Sequence, residues 1–412
     1  MDSEVVSVDG PSASETWHSL PILKIDLDDV ALVGDVITTL DERVWVEAIR
    51  SGQVLGSIET RLENGAIKES VVADLVEEFR DEVRRPVGTI RDDLLPPATV
   101  VVPTIYREPE TLQRTVQAIL DLDYPEFEII VVDNRTGSAG APAIEIPGGS
   151  RVRVVHQPIR GVSAARNLGL YEARNEIVAF TDDDVVLEPN WLRAMGERFV
   201  TDPEVEAISG PILPLSFSTE AQLWFEEFYG GFTKSYRFEL LNLERTSGTD
   251  DLFPYSPGRF GAGANMAFRR TTLLRLGGFQ LALGTGTPAR GGEDLAVFMK
   301  HILEGGTLAF EPAALVRHSH RRTEEEFMSQ VFGYGTGLSA LFTSLLLHEP
   351  HRLGEIVRRL PAGVRLLFRS RAGRSPSLVP SYPRRTALFQ LAGIVYGPLA
   401  YARSVVVTKW RH

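Results

Sequence analysis

Residues 177–185, IVAFTDDDV, join a short apolar run to three adjacent carboxylates. The apolar run, Ile177–Phe180, is typical of a strand that is buried on both faces. Pro189 begins a helical pattern shortly afterwards, so the three Asp residues fall where a strand ends. Because ligands bind at that edge of open α/β sheets, the stretch predicts a sheet with a functional edge.

The three carboxylates are those of Asp182, Asp183 and Asp184, and they repel one another unless a cation lies among them. Hard oxygen ligands suit Mg²⁺ or Mn²⁺, so one interpretation is a divalent ion that bridges these groups to a diphosphate. The alternative is a solvated acidic turn. The position directly after a buried strand favours the metal.

Similar apolar runs predict further strands, at Thr99–Val102, Ile129–Val132, Val152–Val155, Ala207–Ile208, Met266–Arg269 and Phe310–Val316. Helical patterns alternate with the earlier strands, at Glu108–Leu120, Ser163–Ala173 and Trp191–Val200. Short apolar strands that alternate with helices predict a parallel sheet covered on both faces. Polar residues recur at the strand ends, at Thr104, Asp133 and Asp182, and they indicate a single functional edge.

The chain has 412 residues, 43% of them hydrophobic and 24% charged, which predicts a globular protein of two or three domains. It contains no cysteine, so any metal must be held by oxygen or imidazole ligands. The N-terminal residues Met1–Glu15 are polar and acidic, unlike a secretory signal. These features predict a cytoplasmic protein.

The net charge of −12 is unevenly distributed. Glu349–His412 contains twelve Lys and Arg residues against two Glu residues, a surplus of +10 that leaves −22 for the remainder. An acidic body argues against nucleic acid as a partner. Two uncharged stretches of 17 residues, Val331–Leu347 and Thr386–Ala402, accompany the basic surplus. They predict helices that either lie at the inner face of an anionic cytoplasmic membrane or form an ordinary helical cap.

The composition along the chain predicts four regions. They are a disordered lead at 1–16, an accessory α+β module at 17–96, an α/β domain at 97–330 and a helical, basic C-terminal region at 331–412.

Five ordered motifs between Ala98 and Arg322 resemble those of the family 2 glycosyltransferases of GT-A fold. They are Val102–Arg107 (VPTIYR), Val131–Asn134 (VVDN), Arg160–Asn167 (RGVSAARN), Asp182–Asp184 (DDD) and Glu293–Asp294 (ED). The resemblance implies a Rossmann-like α/β domain of non-processive, bacterial type that takes a sugar from a nucleotide-diphosphate donor. It also implies Mn²⁺ or Mg²⁺ as cofactor.

The resemblance implies roles for individual residues. Nucleotide binding falls to Pro103, Thr104, Tyr106, Arg107, Asp133, Arg166, Asp182 and Asp183, with Asp133 at the base and Arg166 near the diphosphate. Asp184 resembles the direct metal ligand, and Asp182 faces the ribose or the metal. His318 resembles a further metal ligand of some relatives. Alternation along a strand predicts that the rings of His318 and His320 point to opposite sides, so we expect only His318 to face the metal.

Asp294 matches the family's catalytic base, and Glu293 stands beside it. The helical pattern Leu295–His301 places Asp294 at a helix N-terminus, where the helix dipole favours the ionised carboxylate. Such a carboxylate can take the proton of an acceptor hydroxyl while the bond to the anomeric carbon forms. Direct displacement with one base implies inversion of configuration.

Contacts with the donor sugar or the acceptor are predicted for Gly263, Ala264, Asn265, Arg290 and Glu293. The loop Gly261–Met266 resembles the family's small-residue loop beside the donor sugar, where glycine permits close approach of the backbone. The Asn265 amide offers both a donor and an acceptor to a sugar hydroxyl. Arg321 or Arg322 is expected at the diphosphate, and a solvated surface charge is the alternative for each.

Several other functions remain as alternatives. The Gln-x-x-Arg-Trp motif of processive synthases is replaced by His318–Arg322, and the glycine-rich turn of a dehydrogenase is replaced by Pro103–Arg107. A nucleotidyltransferase would need a glycine-rich basic loop at the same place. The remaining alternative is a catalytically silent sugar-nucleotide or carbohydrate-binding module. The acceptor stays open among carbohydrate, glycolipid and small molecule.

Overall fold

The structure is a computed structural model that describes residues 19–29, 31–33, 43–63, 65–136, 143–233, 235–246, 250–369, 382–383 and 385–409. The predicted disordered lead at 1–16 lies outside the described residues. The predicted domain boundaries stay predictions.

The strands are β1 (Ile22–Asp26), β2 (Ala31–Val33), β3 (Arg43–Arg50), β4 (Gln53–Glu63), β5 (Ala66–Ile67), β6 (Ala98–Thr104), β7 (Phe127–Asp133), β8 (Val152–His156), β9 (Ile177–Phe180), β10 (Val185–Leu187), β11 (Val205–Ser209), β12 (Ile212–Pro214), β13 (Glu239–Leu241), β14 (Met266–Arg269), β15 (Thr307–Phe310) and β16 (Val316–His318). The helices are α1 (Glu69–Glu78), α2 (Pro109–Leu120), α3 (Val162–Glu172), α4 (Trp191–Thr201), α5 (Glu220–Trp224), α6 (Leu243–Thr246), α7 (Arg270–Arg275), α8 (Glu293–Leu303), α9 (Glu324–His348), α10 (Leu353–Arg369) and α11 (Thr386–Lys409). A π-helical turn, Phe225–Tyr229, follows α5.

An eight-stranded sheet occupies the centre of the molecule, in the order β13-β15-β11-β14-β9-β6-β7-β8. Strands β9, β6, β7 and β8 run parallel, as the alternation of strands and helices predicted. Val100 and Val102 of β6 pack into one hydrophobic core, and Val101 packs into another on the opposite face. This explains why the strand is apolar at successive positions.

The sheet is mixed rather than parallel throughout, which corrects the prediction of a parallel sheet. Strand β14 pairs antiparallel with both β11 and β9. Its first residue, Met266, lies opposite Phe180, the last residue of β9. β14 therefore starts at the edge where β9 ends, because the preceding chain has already crossed to that side. The glycine-containing loop before Met266 consequently lies at the functional edge.

The predicted strand Phe310–Val316 is divided into two. β15 ends at Phe310, and the Ala314 N–H closes a turn on the Glu311 carbonyl at 3.1 Å. Pro312 lies in this turn and has no N–H to donate to a ladder. The chain then forms β16 in a second sheet of order β10-β16-β12, in which His318 lies opposite Val185. This register brings His318 beside the end of the Asp triplet.

The N-terminal module is a five-stranded sheet of order β2-β1-β3-β4-β5, with Leu75 and Phe79 packing against it from α1 and its C-terminal end. It contacts the rest of the molecule through the rings of Trp45 and Phe217, whose centroids lie 5.1 Å apart. A second apolar contact joins Ile49 and Val54 to Leu213 and Leu315. The module therefore packs directly behind the sheet that carries His318.

Helices α9 and α11 pack against each other at positions where glycine is needed. A side chain at Gly393 of α11 would lie 2.2 Å from the Phe332 carbonyl oxygen of α9. By length and composition alone, both helices are able to cross a membrane, and only 28% of the apolar window of α11 is buried in the structure. α11 thus presents a largely exposed apolar surface.

Candidate active site

A cavity of about 2460 Å³ opens at the carboxyl ends of β6 and β9. It brings together most of the site residues that the sequence predicted: Pro103, Thr104, Arg107, Arg166, Asp182, Asp183, Asp184, Gly263, Ala264, Arg290, Glu293, Asp294 and His318. Asp184 and Asp294 thus face the same cavity, although 110 positions separate them in the chain. Arg321, Arg322 and His320 also line it.

Asp182, Asp184 and His318 form a cluster whose candidate ligand atoms all lie within 4.8 Å of one another. The Nε2 atom of His318 lies 3.3 Å from Oδ1 of Asp184. Strand β9 delivers the two carboxylates, and the pairing of β10 with β16 delivers the imidazole. Two carboxylate oxygens and one imidazole nitrogen are a donor set that fits Mn²⁺ or Mg²⁺.

The neighbouring carboxylates Asp183 and Asp184 have opposite electrostatic environments. Burial, reinforced by the charges of its Asp neighbours, raises the pKa of Asp183 to about 6, although its Oδ2 accepts a 2.5 Å hydrogen bond from Thr104 Oγ1. Burial also acts on Asp184, but the charge and hydrogen bond of His318 outweigh it and lower the pKa of Asp184 to about 2. Asp184, unlike Asp183, is therefore held in its ionised form.

The prediction that His318 and His320 point to opposite sides is wrong. Their ring centroids lie 5.7 Å apart, and both residues line the cavity. Alternation along an extended segment puts successive residues on opposite faces and residues two positions apart on the same face, so His318 and His320 share a side. Nε2 of His320 lies 2.7 Å from Oε1 of Glu226, in the π-helical turn. No pattern in the sequence links Glu226 to this site.

Arg166 connects the two acidic parts of the cavity. Its Nη2 donates to Asp182 Oδ1 at 2.9 Å, and its Nη1 donates to Glu293 Oε1 at 2.7 Å. The guanidinium is buried beneath Gly263, where any side chain would come within 2.5 Å of it. The motif predicted Arg166 near the diphosphate but did not predict its bridge to Glu293.

The Glu293–Asp294 pair begins helix α8, after Gly292 in the left-handed conformation at φ +90°. Asp294 Oδ2 accepts a hydrogen bond of 2.6 Å from the Gly263 N–H, and its Oδ1 accepts one of 2.8 Å from Leu295. Burial, together with the charge of Asp294, raises the pKa of Glu293 to about 7. The two neighbours therefore differ: Glu293 engages Arg166, whereas Asp294 is oriented by backbone N–H groups.

Two predicted nucleotide ligands lie beside the cavity rather than in its lining. The Asp133 carboxylate, at the end of β7, pairs with Arg135 at 2.7 Å. The same guanidinium lies over the ring of Tyr106, 5.1 Å from its centroid. Asn134, the next residue after Asp133, lines the cavity instead.

Asn265 lies in the core rather than at the cavity. It is fully buried, and its Oδ1 accepts a 2.8 Å hydrogen bond from the Trp191 indole. Its Nδ2 donates to the carbonyls of Pro211 and Ala314 at 2.9 and 2.7 Å. The amide that the sequence assigned to a sugar hydroxyl is thus used to join three segments of the core.

The cavity extends beyond the predicted site to the C-terminal helices. Tyr334 of α9, Arg359 of α10 and Gln390 of α11 line this extension. Arg290, at its inner end, has φ +65° and lies over the Phe332 ring at 5.2 Å. The sequence placed these helices in a separate region, so their part in the cavity was not predicted.

Comparison with known proteins identifies the central part of the chain. Residues 99–273 match the family model described as Glycosyl transferase family 2. The pre-mycofactocin glycosyltransferase of Mycobacterium tuberculosis is 26% identical over 282 residues, which are 67% of this chain and 54% of that protein. The succinoglycan biosynthesis protein ExoM of Rhizobium meliloti is 29% identical over 221 residues, which are 51% of this chain and 63% of that protein.

Among solved structures, a mannosyltransferase of Pyrobaculum calidifontis in complex with GDP-Man and Mn²⁺ is similar, with a TM-score of 0.48 and 21% identity. The similarity covers 79% of this chain and 94% of that one. The chain spans about half the length of the first curated relatives that it matches. The family match and the mixed α/β sheet with its helical C-terminal region confirm the predicted GT-A fold class. The resemblance seen in the motifs is likewise confirmed, because residues 99–273 match the family 2 glycosyltransferase model.

Proposed function

We propose that this protein is an inverting, metal-dependent glycosyltransferase that moves a sugar from a nucleotide-diphosphate donor to an acceptor hydroxyl. The observation that carries the proposal is that Asp184 and Asp294 line one cavity. Arg166 joins the two parts of this cavity through Asp182 and Glu293. The family 2 domain supports the same reaction class.

The cluster of Asp184, Asp182 and His318 would hold Mn²⁺ or Mg²⁺. A divalent ion bound there supplies positive charge to the diphosphate leaving group. Arg166 keeps Asp182 in place, and the His318 imidazole lies 3.3 Å from the Asp184 carboxylate. Thr104, Asp183 and Arg107 line the neighbouring wall, where the nucleoside would lie.

Asp294 would act as the general base. The Gly263 N–H fixes one of its oxygens, and the Leu295 N–H fixes the other. As general base, the carboxylate accepts the proton of the acceptor hydroxyl at Oδ1 or Oδ2 while the glycosidic bond forms. Glu293 positions Arg166 and does not need to move a proton.

A carbohydrate acceptor is proposed, and the similarity to a succinoglycan biosynthesis protein supports it. We also propose that the C-terminal region contacts the inner face of the cytoplasmic membrane peripherally. Exposed apolar residues on α10 and α11, namely Leu353, Val357, Leu360, Leu388, Leu391, Val395 and Leu399, accompany the basic surplus there. Apolar surface together with positive charge favours an anionic bilayer.

A donor screen without acceptor tests the enzymatic proposal. The full chain is incubated with Mn²⁺ and a panel of UDP-, GDP- and TDP-sugars, and the products are identified by mass. We expect one sugar nucleotide to be hydrolysed slowly, and EDTA to stop its hydrolysis. Nucleotide-sugar binding without turnover in any acceptor mixture would support the silent binding module instead.

A further inference from the structure

The N-terminal module is joined to strand β16 by a triplet of ion-paired side chains. Arg317 of β16 donates from Nη1 and Nη2 to the two oxygens of Glu47, each at 2.8 Å. Its Nε donates to Glu188 Oε1, also at 2.8 Å. Glu47 belongs to β3 of the N-terminal module and is completely buried.

This triplet lies directly behind the metal cluster. Arg317 and His318 are neighbours on β16, so their side chains leave opposite faces of the strand. Glu188 follows β10, the strand that begins immediately after Asp184. Arg317 therefore ties β10 to β16, and the separation of Asp184 from His318 depends on that pairing.

We infer that Glu47 is a positioning residue for the metal cluster, acting through Arg317. The N-terminal module would then hold β16 in register with β10. We expect the buried charge of Glu47 to preorganise the cluster, since a shift of β16 would separate His318 from Asp184.

Glu47→Gln tests this role, and Glu59→Gln is the matched control. Glu59 is a buried carboxylate on the adjacent strand β4 and pairs with Arg43, away from β16. We expect both variants to lower stability, but only Glu47→Gln to weaken Mn²⁺ binding by calorimetry, about tenfold. Hydrogen exchange gives a readout that needs no metal: amides of β10 and β16 should exchange faster in Glu47→Gln alone. Unchanged exchange in these strands, or the same change in Glu59→Gln, would contradict the inference.

Discussion

The two acidic parts of the cavity are held in opposite electrostatic states. At the end of β9, His318 lowers the pKa of Asp184 to about 2 despite burial. At the start of α8, burial and the neighbouring Asp294 raise the pKa of Glu293 to about 7. Both parts share a single buried guanidinium, that of Arg166.

This contrast shows that carboxylates in one cavity can have different protonation states, because each pKa depends on the partners of that group. Asp184 has His318 as a partner of its own, which lowers its pKa, and an ionised carboxylate suits a metal ligand. Glu293 must share Arg166 with Asp182, and its neighbour Asp294 is also acidic. Groups whose environments push their pKa values apart commonly have different chemical roles.

The largest effect is expected for Asp294→Asn, which removes the proposed general base. The amide keeps the shape but cannot accept the hydroxyl proton, so we expect transfer to fall about 10³-fold. Initial rates with the identified donor and acceptor measure the loss. Binding of the nucleotide should change little, and full activity in this variant would remove Asp294 from the base role.

Arg166→Met should uncouple the two parts and leave the partly exposed Asp182 and the buried Glu293 without their cation. We expect the free energy of unfolding to fall by about 3 kcal/mol. Urea denaturation measures it, and the double variant Arg166→Met/Glu293→Gln is the control. The second change should restore part of the loss, whereas additive losses would show that Arg166 and Glu293 are not coupled.

The raised pKa of Glu293 predicts a smaller, pH-dependent effect. Between about pH 4.5 and pH 7 the unfolded chain loses this proton before the folded chain does, so the free energy of unfolding falls as pH rises. The contribution of one group is at most about 1.4 kcal/mol per pH unit. Glu293→Gln should reduce this slope in urea denaturation series from pH 4.5 to 7.5, and an unchanged slope would contradict the assignment.

The sequence predicted those parts of the site that follow apolar strands. Ile177–Phe180 is a strand with the boundaries expected, and the Asp triplet lies at its end. Local hydrophobic pattern carries this information, because a strand buried on both faces is apolar at every position. The small-residue motif likewise placed Gly263 and Ala264 at the cavity.

The parts that failed depend on contacts between distant segments. Asn265 was assigned to a sugar, but its partner Trp191 lies 74 positions away and draws the amide into the core. Glu226 reaches His320 across 94 positions, from a π-helical turn without a sequence signature. Hydrophobic periodicity does not report such pairings. It also predicted one continuous strand at Phe310–Val316, which Pro312 interrupts.

The most direct measurement is binding of the donor's nucleoside diphosphate, with Mn²⁺ and with EDTA, to the wild type, Asp184→Ala and Asp294→Asn. We predict that Mn²⁺ tightens binding at least tenfold in the wild type and in Asp294→Asn, and has no effect in Asp184→Ala. Such a result would separate metal-dependent binding at Asp184 from proton transfer at Asp294. A full Mn²⁺ effect in Asp184→Ala, or its loss in Asp294→Asn, would contradict this division of roles.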